Sequence, residues 1–278
     1  MTPADVAERL FETGWLDDPD ALDDLKQIVK TYQRWHGLKP DGDAGPITTR
    51  HLTLPRFCGH PDKMSVRGRP AKWRHLDVTY YVAAELPGMS LDETWKATDQ
   101  AMQSWNRVSG LKLQRAGSFR DANIQLTVGA IDGPGGTLAW SNLPPTNPCG
   151  QKYDSRERGW RNLVNPGGYI DAVAVICHEV GHALGLVHSS RSGALMAPTY
   201  APGRRTPQGD DDIPRIQRLY GKPTSVPDTN DPPSTGEEPQ VKIELSIGGR
   251  KYSAAGTMKQ QFTVIDEEKI KDEEFGNL

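Results

Sequence analysis

The chain is poor in cysteine. Cys58, Cys149 and Cys177 are the only three among 278 residues. An odd number cannot close fully into internal pairs, so a disulfide framework is excluded and the thiols leave the compartment open. Long apolar runs are also missing. The best is AVAVIC, residues 172–177, far short of the roughly 20 residues that span a bilayer. There is no basic excess: 33 Lys and Arg against 36 Asp and Glu give a net charge of −3. That argues against a general nucleic-acid or anionic-membrane binder. The first residues, MTPADVAERLFETGWLDD, carry early acids and no apolar h-region, so they do not read as a secretory signal. No internal repeat is visible. What is present, 36% hydrophobic and 25% charged residues, suits a soluble globular chain with polar segments. The length allows one good domain plus smaller pieces.

Five segments follow from pattern. Residues 1–54 show helical periodicity in Val6, Leu10, Phe11, Leu25, Ile28, Val29, Tyr32 and Trp35, then a turn at Asp41-Gly42 and Ala44-Gly45-Pro46. A short closing helix over 48–52 is predicted. Residues 55–72 form a connector with PRFCGHPD and the basic MSVRGRPAK. Residues 73–221 mix strands (HLDVTYYVA, LKLQRAG, NIQLTVGA) with two longer helices and a short last one, DDDIPRIQRLYG. One long helix starts at Ser90 with Glu93 three residues on, a capping-box signature. The other, VAVICHEVGHALG, ends at Gly185 as a left-handed cap. Residues 222–240 are a Pro-, Ser- and acid-rich linker. Residues 241–278 read as a β-hairpin around Gly248-Gly249 and an acidic tail. The order predicts an α+β fold.

HEVGHALGLVH, residues 178–188, carries the chemistry. His178 and His182, at i and i+4, share one helix face, so their imidazoles can meet one ion. Gly185 lets the chain turn back and His188 supply a third nitrogen. Three protein ligands with an open fourth position make the catalytic form of a zinc site. Glu179 points off that axis and can hold a water as general base. A single histidine on such a helix is usually a core residue; three at this spacing, with the Glu and Gly, are not. Cys177 reads as a small buried hydrophobe and Cys149 as a free thiol in a Pro/Asn loop. His36, His51, His60 and His75 lack partner spacing and read as solvated or turn residues.

These strings together resemble the matrixins, the matrix metalloproteinase family and its bacterial relatives, over roughly residues 25–221. TYQRWHGLKPDGDAGPITTRHL, 31–52, resembles the small three-helix peptidoglycan-binding-like module that serves many proteases as a propeptide. The resemblance implies a metzincin catalytic domain: a twisted, mixed five-stranded sheet, an active-site helix and a cleft. It implies a latent zinc metalloendopeptidase of extended protein substrates, with His178, His182 and His188 on zinc and Glu179 catalytic. ALMAPTY gives Met196 of the Met-turn, and Pro198 and Tyr200 of the S1′ wall. GTLAWSNLP, 136–144, resembles the substrate-pairing edge strand. Asp211 and Asp212 match an acidic pair that anchors the Met-turn, with helix N-capping as the plainer role. Calcium is implied at the side chains of Asp132, Asp154 and Glu157 and the carbonyls of Gly133, Gly135 and Thr137. A second, structural zinc is not implied, because Gln125, Thr127, Trp140 and Lys152 stand at its positions.

PRFCGHPD resembles the matrixin cysteine switch, P-R-C-G-x-P-D, in which Cys58 takes the zinc's fourth position in the latent form. Arg56 and Asp62 would clamp the loop. Phe57 is an insertion, which predicts a looser clamp, and His60 is a possible competitor for the zinc. The implied partners are protein or peptide substrates and an activating protease cutting near Arg67, with no nucleic acid or membrane. A monomer at or beyond the cell surface is expected. The alternative reading is a cell-wall-binding protein whose peptidase domain is tethered to peptidoglycan by residues 4–52.

Overall fold

The computed structural model describes residues 1–20, 22–54, 56–62 and 71–224, and three strands between 241 and 265 as backbone. The activation-site reading at Arg67 and the linker after residue 224 lie outside the described residues, as does the tail after 265. Residues 1–224 form one compact unit and 225–278 a second.

The first unit begins with three helices, α1 (Pro3–Glu12), α2 (Leu25–Trp35) and α3 (Pro46–Leu52). They close on Val6, Leu10, Trp15, Leu16, Val29, Tyr32 and Leu52. Phe11, placed by periodicity on that face, is 44% exposed instead. Gln33, almost fully buried, explains the Y-Q and D-G signature. Its amide donates to Asp41, the Asp43 carbonyl and Thr48, and its oxygen accepts from the Gly42 N–H.

The main sheet contains β1 (Arg56–Cys58), β2 (Asp77–Val82), β3 (Lys112–Arg115), β4 (Ile124–Gly129), β5 (Thr137–Ser141) and β6 (Cys149–Asp154). Their spatial order is β1-β5-β6-β4-β2-β3. Strands β3, β2, β4 and β6 run parallel, and β5 runs antiparallel to β6. Strand β1 is the sixth. It runs parallel along the outer edge of β5, with Arg56 opposite Thr137 and Cys58 opposite Ala139. The edge expected to receive substrate is thus covered by the chain's own connector. Cys149, expected in a loop, is the first residue of β6 and fully buried.

Helix α4 (Leu91–Asn106) starts with a complete capping box: the Ser90 hydroxyl accepts from Glu93 N–H and Glu93 accepts from Ser90 N–H. It packs against α5 (Ala172–Ala183), every residue of which is buried. The first six residues of α5, AVAVIC, are apolar throughout, as suits a helix set in a core. Trp105 Nε1 donates to the Cys177 carbonyl, fixing α4 to α5 just before His178. The Cys177 sulfur is buried beside Ser104 Oγ, 2.9 Å away, and faces away from the zinc-motif histidines. Between β6 and α5 lie two short paired strands, β7 (Trp160–Arg161) and β8 (Ile170–Asp171).

Helix α5 ends in a Schellman turn: Leu186 N–H bonds the Gly181 carbonyl and Gly185 N–H bonds the His182 carbonyl. Gly185 has φ +95°, and a Cβ there would lie 1.9 Å from the Ala71 carbonyl, so glycine is required both by conformation and by space. Helix α6 (Asp212–Tyr220) closes the unit. In the second unit, β9 (Val241–Ile247) and β10 (Arg250–Gly256) form an antiparallel hairpin, and β11 (Thr263–Ile265) adds a third strand on β10. No helix among the described residues is long and apolar enough to cross a membrane.

Candidate active site

Four buried donor atoms converge. Cys58 Sγ lies 3.1 Å from His188 Nε2 and 3.3 Å from His182 Nε2, and His182 Nε2 lies 3.1 Å from His178 Nε2. All four atoms fall within 4.8 Å of one another, the one such metal-ligand group among the described residues. Each imidazole is oriented from behind. His178 Nδ1 donates to the Leu195 carbonyl (2.8 Å), His182 Nδ1 to Leu186 (2.7 Å) and His188 Nδ1 to Pro61 (3.0 Å). A carbonyl can only accept, so each Nδ1 carries the proton and each Nε2 presents a lone pair to the centre. Burial depresses all three imidazoles, His178 to about 3, and burial and the Glu179 charge push the Cys58 thiol up. Three lone pairs and one thiol facing each other in a dry site have at most one proton to share.

That donor set fits a zinc ion. A tetrahedral site with metal–nitrogen bonds of about 2.0–2.1 Å has ligand–ligand edges of about 3.3–3.4 Å, close to three of the separations observed, 3.1, 3.1 and 3.3 Å. Glu179 sits beside the cluster, fully buried, and neither carboxylate oxygen has a hydrogen-bond partner among the described residues. Burial raises its pKa well above the ordinary carboxylate value.

Met196 is buried in a turn held by Asp212, whose carboxylate accepts from the N–H groups of Leu195, Met196 and Gln208. Asp211 pairs with Arg215 instead and makes no side-chain cap bond. Gly181, overlooked in the sequence, is what lets the turn approach: a Cβ there would lie 2.3 Å from Met196 Sδ. Glycine inside a helix signals close approach, but its partner 15 residues on could not be read from spacing. Tyr200 packs at the site's edge, its hydroxyl accepting from Asp171 N–H.

Residues 56–62, the segment expected to act as a switch, are tightly held. Arg56 Nη1 makes a 2.7 Å ion pair with Asp62 Oδ1, and its Nη2 donates to the His60 carbonyl. The expected looseness is therefore absent. Phe57 is fully buried, a contribution of about 1.5–3 kcal/mol for such a side chain. His60 Nε2 donates to the Ser141 carbonyl, so His60 does not compete for the cluster. Two residues expected to be solvated are buried or nearly so. His36 Nε2 donates to Asp62 Oδ2 (2.9 Å), and His51 Nδ1 meets the Tyr32 hydroxyl (2.6 Å). Trp15 Nε1 also donates to Asp62 Oδ2 (2.7 Å). Asp62 thus joins the helical module to the switch loop, a contact with no local sequence signal.

The acids near β5 and β6 are engaged with backbone. Asp132 accepts from Thr137 N–H, Asp154 from Ile131, Gly133 and Arg156, and Glu157 from Gly135. Thr127 and Trp140 flank Lys152 in register on β4, β5 and β6, and Gln125 donates to the Phe119 carbonyl.

Fold and site together define a candidate metal centre in which helix α5 supplies two histidines and the turn after it supplies the third. A matrixin family model matches residues 72–221, and the chain belongs to the matrixins, whose class is that of the metalloendopeptidases. It is similar to matrix metalloproteinase-20 of Homo sapiens, 35% identical over 207 residues, covering 69% of this chain and 41% of that protein. Interstitial collagenase of Sus scrofa is 33% identical over 225 residues, 77% of this chain and 46% of the relative. Neutrophil collagenase of Homo sapiens is 34% identical over 212 residues, 71% and 44% respectively. The chain spans less than half the length of these relatives.

The Asp62 junction has a pH signature. Burial raises this carboxyl, but the His36 N–H, the Arg56 charge and the Trp15 N–H outweigh it and hold the group below the ordinary range. Such a group stabilises the fold above its unfolded pKa, about 4, and loses that contribution as pH falls through its lower folded value. With chelator present, Asp62→Asn should be less stable than wild type by about 3 kcal/mol near neutral pH, the scale of a broken buried pair. The gap should narrow below about pH 4 in urea melts. A gap independent of pH would assign the loss to packing.

Proposed function

We propose that the chain is a zinc-dependent metalloendopeptidase made as a latent zymogen, acting on internal peptide bonds of extended protein substrates. One observation carries the reading: Cys58 Sγ is seated among the three histidine Nε2 atoms while β1 covers the edge of β5. His178, His182 and His188 would hold the zinc, with Cys58 as fourth ligand in the latent form. The bound ion supplies a Lewis acid for the scissile carbonyl and a water acidified toward a pKa of about 7.

Glu179 is placed to take a proton and return it to the leaving amine nitrogen. Burial raises its pKa and so favours the protonated form, which serves the half of that task that returns a proton to the leaving nitrogen. Strand β5, once freed of β1, offers its edge to an extended substrate. Pro198 and Tyr200 wall the pocket for the residue after the scissile bond. Release follows cleavage in the connector near Arg67 by an activating protease. An extracellular or cell-surface setting accords with the family resemblance.

We also propose a single zinc and a structural calcium held by Asp132, Asp154 and Glu157 with the carbonyls of Gly133, Gly135 and Thr137. Three carboxylates within 26 residues of chain, with several nearby carbonyls, are the oxygen ligands a hard cation takes.

Glu179→Ala should retain one zinc per chain and lose at least about 10²-fold in rate, the scale of a general base. Near-normal peptide cleavage by that variant would sink the mechanism. Full-length Cys58→Ala should cleave peptides without trimming, whereas wild type should stay nearly silent until cut near Arg67. A silent Cys58→Ala chain that becomes active on trimming would remove the thiol as the lock. A calcium-selective chelator should lower the melting temperature; an unchanged midpoint would remove the calcium site.

A further inference from the structure

Phe57 is the residue by which the switch segment exceeds the family pattern, and it is far from slack. Its ring lies nearly parallel to the His178 imidazole, with centroids 4.5 Å apart and planes 10° apart. It stands edge-on to Tyr200 at 5.3 Å and 79°. Both are favoured aromatic geometries. Its N–H donates to the Pro198 carbonyl at 3.0 Å, and Arg56 forms an antiparallel bridge with Thr199. The switch strand is therefore gripped on both edges, by β5 on one side and residues 198–199 on the other. One residue on, Cys58 meets the ligand cluster. Phe57 lies against the wall, Pro198 and Tyr200, assigned above to the residue after the scissile bond.

We propose that Phe57 is an internal occupant of that pocket. It holds the switch segment independently of the thiol, and it reports what the pocket takes: an aromatic side chain. Substrates with Phe or Tyr after the scissile bond are then preferred over those with an aliphatic residue. This rests on the peptidase reading above and deepens it.

Two measurements on the full chain test it. The first is the rate of iodoacetamide labelling of Cys58 under native conditions, followed by peptide mass spectrometry. Phe57→Ala should label at least about tenfold faster than wild type, the scale of one buried ring, and Phe57→Leu should fall between. Cys149 and Cys177, both buried, report general loosening and should keep their wild-type rates. Equal Cys58 labelling, or a rise shared by all three thiols, overturns the anchoring role.

The second uses the Phe57→Ala/Cys58→Ala chain on peptides that differ only after the scissile bond. Phe should exceed Leu by about tenfold in kcat/KM, the scale on which apolar pockets discriminate. Parity, or a preference for Leu, overturns the aromatic specificity. Failure to cut any peptide would overturn the peptidase reading and the specificity drawn from it, while the labelling result decides the anchoring role on its own.

Discussion

Three imidazoles must deliver their Nε2 lone pairs to one point, and most of the architecture around α5 serves that requirement. The helix pitch aligns His178 with His182, and the Schellman turn at Gly185 brings His188 back. Each ring is then fixed by a bond at Nδ1, and those bonds reach outward. His178 leans on the Leu195 carbonyl, and the peptide groups at Leu195 and Met196 are held in turn by Asp212 at the start of α6. A buried carboxylate far along the chain thus sets the orientation of a ligand it never touches. Gly181 completes the arrangement by having no side chain, since any Cβ would push Met196 away.

The same geometry that prepares a metal site also makes it easy to block. A soft sulfur donor at the fourth corner needs only a strand to carry it, and the open edge of β5 provides the pairing for that strand. What keeps the strand in place lies largely outside the catalytic fold. Asp62 gathers Trp15, His36 and Arg56 around one carboxylate, so the helical module and the switch loop share a buried charge. Removing any one partner leaves that charge under-compensated, which is costly in a low-dielectric setting. The position of the Cys58 thiol thus depends on contacts spread through the first unit, from Trp15 and His36 to Asp62 and Arg56.

The parts of this legible in the sequence were those with local spacing. The 178–188 string, the Ser90 box and the Gly185 cap each depend on residues within about one to three helical turns, where periodicity carries information. Three strands of the main sheet, β2, β3 and β4, and the 241–256 hairpin were likewise signalled by alternation and turn residues, whereas the five-stranded count came from the family resemblance and β1 adds a sixth strand. Contacts across long stretches of chain left no mark. His36 and His51 looked solvated because their partners, Asp62 and Tyr32, are 26 and 19 residues away. Cys149 looked like a loop residue because Pro148 precedes it, although β6 begins there. Gly181 stood in plain view within the zinc motif, and only Met196 gives it meaning.

Phe57 shows why an insertion cannot be judged by counting. An extra residue in a loop adds slack, but in an extended strand it adds one pleat and exchanges the faces of everything before it. With Phe57 present, Arg56 and Cys58 stand two apart in β1, and the residue between them turns to the opposite side, where His178, Pro198 and Tyr200 receive it. Arg56 still reaches Asp62 because its long side chain absorbs the changed starting point. The added residue therefore costs the clamp nothing and gains a fully buried ring and a main-chain bond. A sequence pattern treats the position as a departure, whereas the strand's twofold alternation makes it a second attachment.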